Sequence, residues 1–364
     1  MFVPMPASDA STQPGSIASG DKVGAPSVAA AKAATPSLQA IALTKEYGTV
    51  RAIENLNFTV ARGEIVGFLG PNGAGKSTTM RIFSGLLSAT SGRAYVAGVP
   101  VASNPDEVKR RLGFMPEQNP LPEDMRVIEY LRFRARLKEL PRSKVKVRVD
   151  EAMEMCGLQH KTSRKLIGTL SKGYRQRVGI ADAILAEPEV ILMDEPTIGL
   201  DPHQIQQIRR LIESLRESGQ TVLISSHILA EIEACCDRVM IINQGRLVAS
   251  GTSASLRREL MSRTEWRLRL HGDVAAFEQI LPEVNAGLRI AACSTPDADG
   301  FVEVGLDGPA NEPDIGEKLL SVIMRSGLWR VREFAHVEPG LEQIFLAATK
   351  QGDEASPPRR TPKA

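Results

Sequence analysis

Ile65-Val66-Gly67-Phe68-Leu69-Gly70-Pro71-Asn72-Gly73-Ala74-Gly75-Lys76-Ser77-Thr78 is the stretch on which the fold turns. The apolar run Ile65 to Leu69 enters a turn of the form G-x-x-x-x-G-K-[ST], and a helical pattern opens at Lys76 and extends roughly to Leu86. Strand, glycine turn and helix in that order make an anion cradle. Glycine accepts backbone angles that let successive N–H groups converge on one oxyanion. The helix that follows presents its positive end to the same charge. Gly70, Pro71, Asn72, Gly73, Ala74, Gly75, Lys76, Ser77 and Thr78 are therefore candidate phosphate-binding residues. Lys76 is expected to reach the β- and γ-phosphates of a nucleotide, and the Ser77 hydroxyl to ligate Mg²⁺. Taken alone, the motif fits kinases and GTPases as well as ATPases.

Working outward, two further apolar runs, Val190 to Met193 and Thr221 to Ser225, are short and bounded by turns. Helical patterns lie at Val127 to Leu140 and Ile205 to Glu217. Runs of this kind predict strands buried on both faces of a largely parallel sheet, so residues 38–255 are expected to form an α/β domain. Residues 256–350 change character: strand and helix patterns follow in the order β-α-β-β-α-β, which predicts a small α+β, ferredoxin-like domain with Pro296 to Gly300 as its hairpin turn. Residues 1–37 and 351–364 are poor in large apolar side chains, which predicts disordered tails.

A chain of 364 residues with 42% apolar and 24% charged residues has the composition of a globular protein of about two domains. Its net charge of +2 argues against an extended nucleic-acid surface. No apolar run approaches a membrane span, and no basic residue precedes Lys22 as a secretory signal would require, so a soluble chain is expected. Cys156, Cys235, Cys236 and Cys293 lack metal or redox spacing and read as inert buried thiols of a reducing compartment.

The Val190 to Met193 strand ends in Asp194-Glu195, two carboxylates beside the expected phosphate site. Asp194 is placed to hold Mg²⁺ through water, and Glu195, pointing differently, to polarise the attacking water as general base. Leu170-Ser171-Lys172-Gly173-Tyr174-Arg175-Gln176-Arg177 then resembles the L-S-G-G-Q-x-x-R signature of ABC (ATP-binding cassette) ATPases. Ser171 is also a candidate helix cap. With the signature about 20 residues before Asp194-Glu195, the order of motifs resembles that family throughout residues 38–255.

The resemblance implies a P-loop cassette with a mixed, largely parallel sheet and a helical subdomain. It implies that Ser171 and Gly173 contact the γ-phosphate of ATP held by an opposing subunit. It places Asp201 of Gly199-Leu200-Asp201-Pro202 between two active sites, His227 of Ser225-Ser226-His227 at the γ-phosphate, and Tyr47 against adenine. The family's Mg²⁺-binding glutamine falls at Glu117 if Pro116 is aligned and at Gln118 one residue on; both stay candidates. Lys172, Tyr174 and the Pro116-Glu117-Gln118-Asn119-Pro120-Leu121 segment are similar to ATP subunits of ABC-2-type exporters. Such a subunit uses ATP and Mg²⁺, works as a homodimer or as a pseudo-dimer with a second ATPase subunit, and drives an integral membrane permease on a separate chain. It would sit in the cytoplasm, peripheral on the inner face of the cell membrane, without nucleic acid as a partner. The alternative is a soluble ABC ATPase with a non-membrane partner.

Overall fold

The computed structural model describes residues 35–159, 161–260, 263–309, 312, 314–337 and 341–354. Nearly all of both expected tails, residues 1–34 and 355–364, lies outside these.

β3 (Ile65–Leu69), β6 (Leu112–Met115), β7 (Val190–Asp194), β8 (Thr221–Ser226), β9 (Arg238–Asn243) and β10 (Arg246–Gly251) form one sheet in the order β10-β9-β3-β8-β7-β6. All neighbours pair in parallel except β10 with β9. Every residue of β3, β7 and β8 is buried, which is why their sequences read as unbroken apolar runs without alternation. The two faces still separate with a period of two. Ile65, Leu69, Ile191, Met193, Val222 and Ile224 enter one core, whereas Val66, Phe68, Val190, Leu192 and Leu223 enter another.

The first core is closed by α3 (Val127–Leu137), α4 (Arg142–Met155), α5 (Lys172–Ile184) and α6 (Pro202–Glu217), which supply Leu131, Val149, Val178 and Leu211 to it. The second is closed by α1 (Lys76–Phe83) and by an antiparallel sheet of β1 (Leu38–Tyr47), β2 (Val50–Val60), β4 (Ser91–Val96) and β5 (Val99–Pro100). Phe58 and Phe83 pack there as a tilted pair with ring centroids 5.6 Å apart. The α/β cassette expected from the sequence is therefore present, with the phosphate-loop strand at the sheet centre.

Beyond α8 (Ser253–Leu260), β11 (Arg263–His271), α9 (Val274–Val284), β12 (Arg289–Cys293), β13 (Val302–Pro309), α10 (Ile315–Ser326) and β14 (Arg330–Val337) follow in the order β-α-β-β-α-β. Their sheet runs β12-β13-β11-β14, all antiparallel, over a separate core that includes Trp266, Leu268, Phe277 and Leu319. The last helix departs from the expectation that residues 256–350 form one small domain of their own. α11 runs Leu341–Glu354, past Lys350, and its Ile344 and Ala348 are buried in the cassette core, not against the small sheet. Leu256, at which the accessory segment was expected to begin, is buried in that same core.

The cysteines also need correction. Cys156 is buried, but Cys293 is exposed and Cys235 and Cys236 are partly exposed. Burial pushes the Cys156 thiol up to about 12, so at ordinary pH it holds its proton. Iodoacetamide at about pH 8 is expected to modify Cys293 in the folded chain and to spare Cys156. Peptide mass mapping checks this; equal labelling of the two would contradict the burial.

Candidate functional site

β3, a central strand, delivers the chain at its C-terminal end into the loop 70–75, where the neighbouring backbone leaves no room for side chains. A Cβ on Gly70 would stand 2.4 Å from the Ile242 carbonyl oxygen. Gly75 has φ +108°, and a Cβ there would stand 2.8 Å from the Ala52 carbonyl oxygen. α1 then starts without a side-chain cap and without an acidic residue in its first turn. Its leading N–H groups are left for a ligand, and no carboxylate competes for them.

Lys76 is only 6% exposed. Its Nζ donates to the Gly70 carbonyl at 2.8 Å and lies 3.5 Å from Glu195 Oε1. At the end of β7 the two adjacent carboxylates separate, as the sequence suggested they would. Asp194 stays on the strand, where the Ser225 hydroxyl donates to its Oδ1 at 2.5 Å. Glu195 takes φ +50°, a left-handed angle that costs energy outside glycine. The Glu195 N–H donates to Ser225 Oγ at 3.0 Å. The turn aims the Glu195 carboxylate between Lys76 and His227, whose Nδ1 lies 2.8 Å from Glu195 Oε2. A buried carboxylate persists only with such partners.

Lys76, Glu195 and His227 line a cleft of about 370 Å³ together with the rest of Pro71 to Thr78, Glu117, Ala52 and Ile198, whereas Asp194 and Ser225 stand behind its lining. Of the two candidates after Pro116, it is Glu117 that faces the phosphate loop; Gln118 lines a neighbouring pocket. Tyr47 is not in the lining: it is 48% exposed at the end of β1, with Lys45 Nζ 5.1 Å from its ring centre. Ser171, Gly173 and Asp201 are also outside the cleft. Ser171 caps α5, accepting from the Tyr174 N–H at 3.5 Å, and Asp201 caps α6, accepting from the Gln204 N–H at 2.8 Å. The two caps are braced together, since a Cβ on Gly173 would stand 2.4 Å from Gln204 Oε1.

Sequence reasoning passed over Ser225, Ala52 and Ile198. Only Ser225 left a trace, as a hydroxyl that follows the apolar run Val222 to Ile224. Ser225→Ala is expected to lower ATP turnover about tenfold, the effect of leaving the buried Asp194 oxygen one hydrogen bond short by roughly 1–2 kcal/mol. Steady-state phosphate release measures it, and a rate within a factor of two of the parent would remove Ser225 from the site.

The residues fit the phosphates of a nucleotide: glycines where a Cβ would collide, an uncapped helix start and a buried lysine. They also fit Mg²⁺ of the kind that phosphates share. Among the described residues no cluster of three or more His, Cys, Asp or Glu is arranged to hold a metal alone. Mg²⁺ is ordinarily bound through one or two carboxylates and the substrate's own phosphates.

Residues 53–198 match the ABC transporter family. Over 316 residues the chain is 34% identical to the daunorubicin/doxorubicin resistance ATP-binding protein DrrA of Streptomyces peucetius, a match covering 86% of this chain and 93% of that one. The chain belongs to the ABC transporter family. The bacitracin transport ATP-binding protein BcrA of Bacillus licheniformis is 44% identical over 207 residues, which is 57% of this chain and 66% of that protein. Among solved structures, the dimeric ABC transporter cassette MJ0796 is 27% identical with a TM-score of 0.55, over 59% of this chain and 98% of that one. The same cassette is also known in a post-hydrolysis state bound to ADP and Pi. As an ABC cassette, this chain binds ATP and hydrolyses it. No helix among the described residues is long and apolar enough to cross a membrane.

Proposed function

We propose that two copies of this chain close on ATP and Mg²⁺, each lending its Ser171–Gly173 edge to the Gly70–Ser77 loop of the other, and that closure drives a permease on a separate chain in the export direction. A pseudo-dimer with a second ATPase subunit would serve equally. The observation that carries this reading is that the cleft gathers Lys76, Glu195 and His227 but not Ser171, Gly173 or Asp201. Each ATP would thus be gripped from two polypeptides, and an isologous two-fold dimer supplies both grips at once.

In the reaction Lys76 leaves the Gly70 carbonyl for the β- and γ-phosphate oxygens. Glu195 takes a proton from the attacking water as its oxygen bonds to the γ-phosphorus, and the bond to the β-phosphate oxygen breaks to give ADP and inorganic phosphate. His227, held on Glu195 at 2.8 Å, orients that carboxylate. Ser77, Asp194 and Glu117 would hold Mg²⁺, which when bound neutralises charge building on the phosphates; Gln118 stands one step farther out. The exposed Tyr47 ring would stack on adenine, in place of or opposite the Lys45 ammonium that now lies over it. Catalysis here is mostly positioning and charge, as for phosphoryl transfer in general.

The relatives named for bacitracin transport and for drug resistance favour a transporter subunit over a soluble ABC ATPase with a non-membrane partner. The chain would then lie on the cytoplasmic face of the membrane, held there by its permease. Affinity purification of the full chain from its own cell's membranes in mild detergent tests this. An integral membrane protein in fixed ratio is the expected result; recovery only with soluble partners would contradict it.

A further inference from the structure

Next to the nucleotide cleft lies a second pocket, of about 420 Å³, between the segment 117–120, the first turns of α5 and Ile198. Glu117 and Ile198 line both spaces, so the two are neighbours through these side chains. Lys172 and Arg175 line the second pocket, and neither forms an ion pair with a described residue. The Lys172 ammonium sits over Gly199, at φ +69°, where a Cβ would stand 2.3 Å from Nζ; the bare glycine leaves it that position. Asn119 fastens the opposite wall to α5, its Nδ2 donating to the Arg175 carbonyl at 3.3 Å.

Gln176 completes the set. It is 4% exposed, lines the pocket, and its Oε1 has no hydrogen-bond partner. A buried amide oxygen left unpaired costs free energy and calls for a donor. Two unpaired cations call for an anion. A ligand that satisfies both must be an oxyanion that still carries a proton. Inorganic phosphate near neutral pH is such a species, and sulfate, fully ionised, is not. The one carboxylate that described residues bring to the lining, Glu117, sharpens the choice: it repels a bare anion but accepts a hydrogen bond from P–OH. Two cations and one carboxylate leave a single positive charge, matched to dihydrogen phosphate.

We propose that this pocket holds inorganic phosphate on its way out of the nucleotide cleft, with Lys172 and Arg175 donating to its oxygens and Gln176 Oε1 and Glu117 accepting its P–OH groups. The proposal rests on ATP hydrolysis as the source of the phosphate. It gives Lys172 and Arg175 a task inside one subunit, beside the one proposed for the Ser171 hydroxyl and the Gly173 backbone toward the other copy.

Equilibrium dialysis of radiolabelled inorganic phosphate against the ADP-saturated full chain tests it, with Lys76→Ala and Arg175→Gln in parallel. Arg175 is partly exposed, so its substitution leaves the core untouched; thermal melting checks this. Expected is phosphate binding that survives Lys76→Ala, weakens at least about tenfold in Arg175→Gln, and is displaced by sulfate at least about tenfold less well than by unlabelled phosphate. Gln176→Leu is expected to reduce the preference over sulfate, Glu117 remaining as the second P–OH acceptor. Binding lost in Lys76→Ala but kept in Arg175→Gln would put the phosphate on the P-loop and overturn the proposal. Equal competition by sulfate, or no binding, would overturn it too. ATP turnover read on the same wild-type preparation separates the outcomes: hydrolysis without a phosphate pocket sinks only this inference.

Discussion

Lys76→Ala is expected to lower ATP turnover by at least about a hundredfold, because it removes a preorganised cation from the point where negative charge builds. The size follows from where Lys76 sits. At 6% exposure its charge acts across a water-poor gap, and its Nζ is 3.5 Å from Glu195, where the γ-phosphate must also come. Among the described residues no other basic side chain lines the cleft apart from His227, so none of them replaces it. The substitution also takes from the buried Glu195 carboxylate its lysine neighbour and leaves it the contact with His227, so some loss of stability is expected with it. Lys76→Met keeps most of the side-chain volume and separates the two effects. Phosphate release gives the rate and thermal melting the fold; a folded Lys76→Ala chain with half the parent rate would overturn the assignment of the loop.

Glu195→Gln is expected to behave differently. The amide has the same shape, keeps a hydrogen-bonding atom toward His227, and removes only the capacity to take a proton. Turnover should fall about a hundredfold or more, the usual worth of a positioned general base, while ATP affinity holds. If ATP joins two copies and hydrolysis parts them, the variant should accumulate as a nucleotide-dependent dimer in light scattering. Turnover within about threefold of the parent would show that another group activates the water.

Much of this site was legible in the chain because its chemistry is backbone chemistry. The glycines at 70, 73 and 75, the lysine after them and the strand before them constrain one another locally, so the loop could be read without the fold. The buried strands were legible for a related reason: β3, β7 and β8 have no solvent face, and their apolar runs are uninterrupted. What escaped depends on side-chain direction across long sequence gaps. Ser225 bonds Asp194 over 31 residues, and its hydroxyl at the end of an apolar run does not say which carboxylate it meets. Glu117 and Gln118 could not be ranked, because one residue of offset turns a side chain from one pocket to the next. Glu195 could be named as a base, but its left-handed backbone, which carries the carboxylate to Lys76 and His227, is a property of the folded turn. α11 was read by adjacency as part of the small domain. Its Ile344 and Ala348 pack on the cassette instead, a long-range contact that periodicity does not report.

A crystal structure of Glu195→Gln grown with Mg²⁺ and ATP puts the two-subunit grip to the proof. The expected result is a two-fold dimer in which Ser171 Oγ and the Gly173 N–H of one copy lie within hydrogen-bonding distance of the γ-phosphate held by Gly70 to Ser77 of the other. A nucleotide bound in that loop with its γ-phosphate open to solvent, and the Ser171–Gly173 edge turned elsewhere, would contradict it.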